Sequence, residues 1–287
     1  MAYSITPKDR SATKALRRIA RERLEDSVAL VDADRMPRVA LIHELRKNVK
    51  KTRALLRLVR PGFDAYAREN AALRDAGRML SDLRDADVLA QSFDNVATRV
   101  YMPPEALAAL RDRVIAAPIA ARDPDAVLKA HAEAIAEVAG RARKWEVAEA
   151  GFEAFEKGLE RSWTAAQKAM RAAETEPSGE ALHLWRKRVK DHWYHARILQ
   201  PIWPEMMTHH MAAAETLGET LGDARDLAYL AEALAALPEA AEIRAAARDE
   251  EARLLADARA LGRPFLSEPA GGLSCRWRGW WDIWREA

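Results

Sequence analysis

A basic segment that begins with histidine occurs twice in the chain, and its side chains are of the types that bind anions. The two copies start at His43 and His183 and keep a constant offset of 140 residues. The identical pairs are His43/His183, Arg46/Arg186, Lys47/Lys187, Lys50/Lys190, Arg57/Arg197 and Pro61/Pro201. Lysine and arginine hold phosphate oxygens through charge-assisted hydrogen bonds, and arginine can donate two at once. The ungapped repeat therefore predicts a duplicated unit built around a cationic element.

Helical periodicity places these cations together on one side of each segment. At about 100° per residue, the cations of the first copy all lie within about 60° of His43. The opposite side of that helix carries Leu41, Leu45, Val49, Leu55, Leu56 and Val59. In the second copy, the side with His183 carries Arg186, Lys187, Lys190, Tyr194 and Arg197, and the other side carries Trp185, Val189 and Leu199. Each segment is expected to bury its apolar face and to present a cationic stripe on the other.

The cationic stripe needs a counter-charge from outside its own helix. Arg53 adds a further cation to the first copy, where the second copy has Trp193. Like charges at i,i+3 and i,i+4 repel by about 0.2–0.5 kcal/mol per pair, and almost no carboxylate interrupts the stripe. Carboxylates on neighbouring helices could offset this repulsion, and so could an external polyanion.

The helix that precedes each basic segment adds further cations. One face of a predicted helix over 8–32 carries Lys14, Arg17, Arg18 and Arg21. One face of a predicted helix over 151–174 carries Lys157, Arg161, Lys168 and Arg171. If the two basic helices of each half pack side by side, each half presents a cationic wall, and both walls could face a common groove.

The positions of proline and glycine divide the chain into helices. We predict helices over 8–32, 37–60, 63–94, from 104, and 123–140 in the first half. In the second half we predict 151–174, 179–200, 204–235 and 239–261, followed by a loop-like, tryptophan-rich tail over 263–287. A second repeated motif, Leu80 to Asp85 against Leu221 to Asp226, extends the duplication at an offset of 141. Asp85 and Asp226 are expected to pair with stripe cations or to make packing contacts.

Composition agrees with an all-α fold. Hydrophobic residues make up 49% of the 287 residues and charged residues 31%, with only 12 glycines. This balance favours long amphipathic helices. The length suits two related halves, 1–140 and 141–287, the second including the tail. We predict two pseudo-symmetric four-helix bundles with a basic central groove or channel.

Charge, cysteine content and hydropathy narrow the class of protein. The net charge is only +2, so an anion site must arise from local clustering of cations. A single cysteine, Cys275, excludes an internal disulfide framework, and we expect it to be a packed thiol in a reducing cytoplasm. The start of the chain lacks the apolar core of a signal peptide, and no run of 18 apolar residues predicts a membrane span.

The repeated His-x-x-Arg-Lys-x-x-Lys pattern, followed by Leu-x-x-x-Arg-Asp, resembles the CHAD family (conserved histidine α-helical domain). The resemblance covers roughly residues 8–285. It implies two four-helix bundles about a pseudo-two-fold axis, with a basic central channel that binds inorganic polyphosphate and associates with polyphosphate granules. Carried over to this chain, the binding residues would be His43, Arg46, Lys47, Lys50, Arg57, His183, Arg186, Lys187, Lys190 and Arg197. Arg53 and Tyr194, which lie on the same segments, complete the expected polyphosphate-binding set. Lys14, Arg17, Arg18, Arg21, Lys157 and Arg161 are a weaker extension.

Three other functions are weighed against this one. His43-Glu-Leu-Arg46 resembles the phospho-accepting box of sensor kinases, but Leu184 replaces its acid in the second copy and no Gly-x-Gly occurs. A triphosphate-cleaving enzyme would need a Glu-x-Glu-x-Lys strand and a carboxylate cluster for metal ions, and neither is evident. Nucleic-acid binding is the stronger alternative, although the stripes lack interleaved aromatics for stacking on bases. We expect no enzyme activity, no cofactor and no resident metal.

The remaining histidines are expected to be structural residues and not metal ligands. His192 and His195, and the adjacent His209 and His210, lack nearby cysteine or carboxylate partners at ligand spacing. His131 is expected on a helix surface. The tail tryptophans are expected to cover the bundle core.

Overall fold

In a computed structural model of the chain, the described residues are 3–33, 35–80, 85–115 and 123–286, with only the backbone described for 85–88. Within these ranges the regular structure is helical, without strands, which confirms the all-α prediction. The α-helices of the first half are α1 (Ala12–Ala33), α2 (Arg38–Leu58), α3 (Tyr66–Met79), α4 (Asp85–Ala97), α5 (Pro104–Ile115) and α6 (Pro124–Ala142). Those of the second half are α7 (Glu153–Thr175), α8 (Gly179–Leu199), α9 (Pro204–Ala233), α10 (Ala241–Phe265) and α11 (Ala270–Glu286).

The helices pack mostly against their neighbours along the chain. In the first half, α1, α2, α3 and α6 form a closed ring in which each helix contacts two others. In the second half, α8 lies between α7 and α9, α10 packs along α9, and α11 packs on α7. The pair α4 and α5 lies against α9, so it belongs spatially with the second half. Helix α2 contacts both α7 and α8, which brings the two basic helices together.

The apolar faces of the two basic helices are buried as predicted. Leu45, Leu55 and Leu56 of α2 and Trp185 and Val189 of α8 are at most 1% exposed. The largest cluster of buried apolar residues draws on helices from both sides of residue 140. The division into 1–140 and 141–287 stays a prediction, and the two parts share this core.

Both basic helices end in the same way. Helix α2 stops at Leu58 and α8 at Leu199, and a short 3-10 helix containing a proline follows each of them, at Arg60–Gly62 and Gln200–Ile202. Proline lacks an N–H and its ring clashes with the preceding turn, which favours the end of the α-helix and of the cationic stripe at this point.

Several expectations about individual elements are wrong. The single helix predicted over 63–94 is two helices, α3 and α4, that pack against different neighbours. The tail is not loop-like, because α11 covers Ala270–Glu286 and buries Trp277 completely. His131 is buried, with Nδ1 2.9 Å from the carbonyl oxygen of Ala76. Cys275 is exposed.

The first copy of the second repeated motif lies largely outside the described residues, since it spans 80–85. Its prediction for the Asp85 side chain is therefore also outside them. In the described part of the chain, no helix is both long enough and apolar enough to cross a bilayer.

Candidate anion-binding site

The two basic helices touch in their C-terminal halves. His195 Nε2 of α8 lies 2.9 Å from the carbonyl oxygen of Ala54 in α2. One turn further along α2, Arg57 Nη1 lies 2.9 Å from Asp191 Oδ1 of α8. These contacts hold the cationic stripes of α2 and α8 side by side.

Charges from one helix act on the lysines of the other in a reciprocal way. Burial, together with the nearby cations Arg23, Lys47 and Arg197, lowers the pKa of Lys51 in α2 to about 8. Burial also lowers the pKa of Lys187 in α8, with Arg188 and Arg57 adding to the effect. Arg57 and Arg197 are equivalent in the repeat, and each acts on a lysine of the other helix, although Lys51 and Lys187 are not equivalent positions.

The outer side of α8 lies against α9, where two glycines make room for its cations. A Cβ atom at Gly218 would lie 2.9 Å from Lys190 Cδ, and one at Gly222 would lie 2.8 Å from Arg186 Nε. The glycine surface of α9 therefore seats both side chains. Burial lowers the pKa of Lys190.

Trp193 lies between two cations of its own helix. Lys190 Nζ is 4.4 Å and Arg197 Cζ is 4.9 Å from the ring centroid. A cation over an indole face is attracted by the ring quadrupole. The aromatic that replaces Arg53 in the repeat thus orders its cationic neighbours and adds no charge of its own.

A cavity of about 700 Å³ opens between α2, α7 and α8. Among the described residues, the cations that line it are Arg57, Arg60, Lys157, Arg161, Lys168 and Arg188. Its carboxylates in the same set are Asp191 and Glu160, and Glu160 accepts a hydrogen bond of 2.5 Å from Ser274 Oγ. We call this the cationic cavity. Its excess of positive charge suits an anion with several charges.

The close approach of α2 and α7 at Gly158 forms one wall of the cationic cavity. A Cβ atom there would lie 1.7 Å from the carbonyl oxygen of Leu58, so only glycine fits. This approach brings Lys157 and Arg161 of α7 beside Arg57 of α2. The cavity thus combines Arg57, a predicted stripe residue of the first half, with cations of α7, the helix that precedes the basic helix of the second half.

The cations predicted on α1 lie in a different setting. Arg17 donates to the carbonyl oxygen of Trp145 and forms an ion pair with Glu146. Arg18 pairs with Asp9, and Arg21 pairs with Glu25. These carboxylates offset the charge of α1, so its cations are less available to an external anion. Lys14 is exposed.

The two repeated histidines lie outside the cationic cavity. His43 lines a second cavity of about 680 Å³ between α2, α4, α9 and α10, together with Asp223 and Asp226. Burial lowers the pKa of His183, and Arg225 and Lys187 lower it further. His43, Arg46, Lys50 and Arg186 each make contacts with other groups of the chain.

The other predicted residues occupy varied positions. Burial lowers the pKa of Arg53 to about 10, and its Nε donates to Asn70 Oδ1 at 3.1 Å. Lys47 forms an ion pair with Glu44 of its own helix. Tyr194 is buried and faces Tyr3, with ring centroids 6.0 Å apart. Tyr194 therefore stands behind the stripe and not on its open side.

Sequence reasoning left three cavity cations out of the predicted site. Lys168 shares the face of Arg161 on α7, and this spacing was a usable signal. Arg188 corresponds to Asn48 in the first copy, so the repeat did not mark it. Arg60 lies in the 3-10 helix after α2, where helical periodicity no longer applies.

Two further histidines, the buried His192 and the half-buried His210, form a pair away from this site. His192 Nε2 and His210 Nε2 are 2.7 Å apart, and Trp163 packs against both rings. Burial lowers the pKa of His210 to about 4 and that of His192 well below its usual range. Across the described ranges, no group of three or more histidine, cysteine or carboxylate side chains is arranged to hold a metal ion.

Fold and site together describe an all-helical protein in which two repeated basic helices meet beside a cationic cavity. A family model for the CHAD domain matches residues 10–235, which is most of the chain. The chain therefore belongs to the CHAD domain family, and this family is associated with polyphosphate binding. No curated protein matches the chain closely enough to serve as a relative.

Proposed function

We propose that this protein binds inorganic polyphosphate, with the cationic cavity as the centre of the site. The observation that carries the proposal is the charge of that cavity, where six cations face two carboxylates among the described lining residues. Both carboxylates are already engaged, Asp191 by arginines and Glu160 by Ser274. An external polyanion is the partner that would balance the remaining charge.

A linear polymer fits better than a compact anion, because the cations continue beyond the cavity. Lys187 of α8 lies close to Arg57, and Lys190 and Arg197 follow on the same helix. A chain of linked phosphates can engage such a series of cations at once, and each added contact raises the affinity of the whole. We therefore expect longer polyphosphate chains to bind more tightly.

We also propose a symmetric architecture for the site. The two halves form pseudo-symmetric bundles related by an axis near the α2–α8 contact, and the stripes of both helices line a shared basic channel. The equivalent Arg57 and Arg197, each of which acts on a lysine of the other helix, support this arrangement. The predicted binding set on α2, α7 and α8 would then act from both sides of one groove.

The protein acts in this proposal as a non-enzymatic binder in the cytoplasm, at polyphosphate granules, where polyphosphate-metabolising enzymes are possible partners. Sulfate or phosphate is expected to occupy the same cations in crystals. The family association with polyphosphate is the support for this role.

The cavity can be tested by removing equal charge from α7 and from α1. The triple variant Lys157→Gln, Arg161→Gln, Lys168→Gln removes three positive charges from the α7 wall of the cationic cavity. The matched variant Lys14→Gln, Arg17→Gln, Arg21→Gln removes the same charge from α1. With long-chain polyphosphate at fixed ionic strength, calorimetry should show a loss of about tenfold or more for the α7 variant, the equivalent of one or two charge-assisted hydrogen bonds.

A smaller loss is expected for the α1 variant, since its cations already have carboxylate partners. Circular dichroism should show unchanged helicity in both variants. Equal losses in the two would contradict the cavity as the centre of the site, and a wild-type protein that fails to retain polyphosphate would contradict the function. Nucleic acid is tested in the same assay, because duplex DNA that displaces polyphosphate at equal phosphate concentration would favour that alternative.

A further inference from the structure

One of the two described carboxylates that line the cationic cavity departs from the repeated basic pattern. Asp191 of α8 lies at the position that Lys51 occupies in α2, at the same offset of 140 residues. Both side chains are buried, with Asp191 6% and Lys51 7% exposed. Equivalent buried positions of the two basic helices thus carry opposite charges.

Asp191 contacts two arginines of the cavity, but it forms a hydrogen bond of good geometry with only one of them among the described residues. Its Oδ1 accepts a hydrogen bond of 2.9 Å from Arg57 Nη1. Its Oδ2 lies 3.2 Å from Arg188 Nη2, but within the described residues this oxygen makes no hydrogen bond of good geometry. Arg188 Nε is also buried without a partner in that same set. Buried polar atoms are nearly always paired, so the incomplete bond between Asp191 and Arg188 calls for an explanation.

We propose that Asp191 is a specificity-determining residue, an internal anion that keeps Arg57 occupied and leaves Arg188 only partly satisfied. This inference rests on the proposed function and concerns which phosphates the cavity accepts. A single phosphate must compete with the buried carboxylate of Asp191 for Arg57 and Arg188. A chain of phosphates takes Arg188 while its other groups bind the lysines of α7, so it loses less to that competition.

The neutral isostere Asp191→Asn tests this directly, because it keeps the shape and removes the charge. Wild type and variant are titrated with orthophosphate, tripolyphosphate and long-chain polyphosphate at constant ionic strength. We expect the affinity of the variant for orthophosphate to rise about tenfold, which corresponds to about 1.4 kcal/mol. The affinity for long-chain polyphosphate should rise less, so the ratio between the two should fall.

Glu160→Gln is the matched control, since it removes the other carboxylate of the cavity and keeps an acceptor for Ser274. It should raise both affinities by a similar factor and leave their ratio intact. If the ratio stays constant in Asp191→Asn, or falls equally in Glu160→Gln, only net charge matters and the proposal fails. The wild-type titration tests polyphosphate binding itself, and the ratio in the variants tests the role of Asp191. The two proposals can therefore fail independently of each other.

A second variant decides the matter if Asp191→Asn does not fold. Arg188→Gln leaves the Arg57–Asp191 bond intact and removes the partly satisfied arginine. The proposal expects long-chain polyphosphate to bind this variant about tenfold more weakly, as for the loss of a charge-assisted hydrogen bond. An unchanged affinity would overturn the proposal.

Discussion

Lys51 carries a buried positive charge close to other cations. The side chain is 7% exposed, and Arg23, Lys47 and Arg197 all act to lower its pKa. Among the described groups, Glu44 is the acid that raises this pKa, and it already pairs with Lys47. The Lys51 ammonium lies 5.7 Å from the centroid of the Tyr3 ring, but among the described residues no carboxylate forms an ion pair with it. Burying a charge without an ionic partner costs free energy, so Lys51 should weaken the fold.

Replacing Lys51 with methionine is therefore expected to stabilise the protein by about 1 to 3 kcal/mol at pH 7. The pKa of Lys51 is about 8 when folded and near its usual value when unfolded, so the unfolded chain binds more protons between pH 8 and about 10.4. Wild-type stability should rise across that window as the charge is lost, and the advantage of the variant should shrink.

Urea unfolding of both proteins from pH 7 to 10 measures this effect. Lys14→Met, which removes an exposed lysine of α1, serves as the control and should change the free energy of unfolding little. A Lys51→Met variant that is less stable than wild type at pH 7 would show that the ammonium has a stabilising partner.

At the scale of helices, the contact between α2 and α7 depends on a glycine, which has no side chain to separate them. Gly158 approaches the backbone of Leu58 so closely that a Cβ atom would lie 1.7 Å from its carbonyl oxygen. The obstructing atom belongs to the backbone and cannot rotate away. This approach sets the width of the cationic cavity, because Lys157 and Arg161 flank the glycine.

Gly158→Ala should cost more than about 3 kcal/mol of unfolding free energy, since the two helices must separate to admit the methyl group. Gly140→Ala is the matched control, because no atom lies within 4 Å of the added Cβ. That variant should be neutral or gain about 0.5–1 kcal/mol from lower backbone entropy in the unfolded chain. Thermal and urea unfolding report both values, and equal stabilities would contradict the close approach.

Sequence patterns predicted the helices that have strong periodicity and clear ends. The apolar faces and proline stops of α2 and α8 were sufficient for this. Helix α11 was missed because Gly271, Gly272 and Gly279 weaken helix propensity in the tail. Its stability comes from burying Trp277 against the rest of the core, and tertiary packing of this kind overrides local preference.

For the whole molecule, the sequence predicted which residues are cationic but not which of them meet. Arg57, Lys157 and Arg161 were all proposed, yet their meeting with Arg188 in one cavity depends on how α2 crosses α7 and α8. Helical periodicity fixes the face of a residue on its own helix, and crossing geometry is set by the packing of many side chains. The carboxylate partners of the α1 arginines were hidden for the same reason.

The shared core predicts that the two halves unfold together. Buried residues of α1, α2 and α6 form one cluster with those of α7, α8, α9 and α11. A differential scanning calorimetry trace should therefore show one cooperative transition, because neither half keeps a complete core without the other. Long-chain polyphosphate at about 100 times its dissociation constant should stabilise the folded state by about 2.7 kcal/mol and move that whole transition upwards. Two transitions of which only one responds to polyphosphate would mean that the halves are independent domains, each with a core of its own.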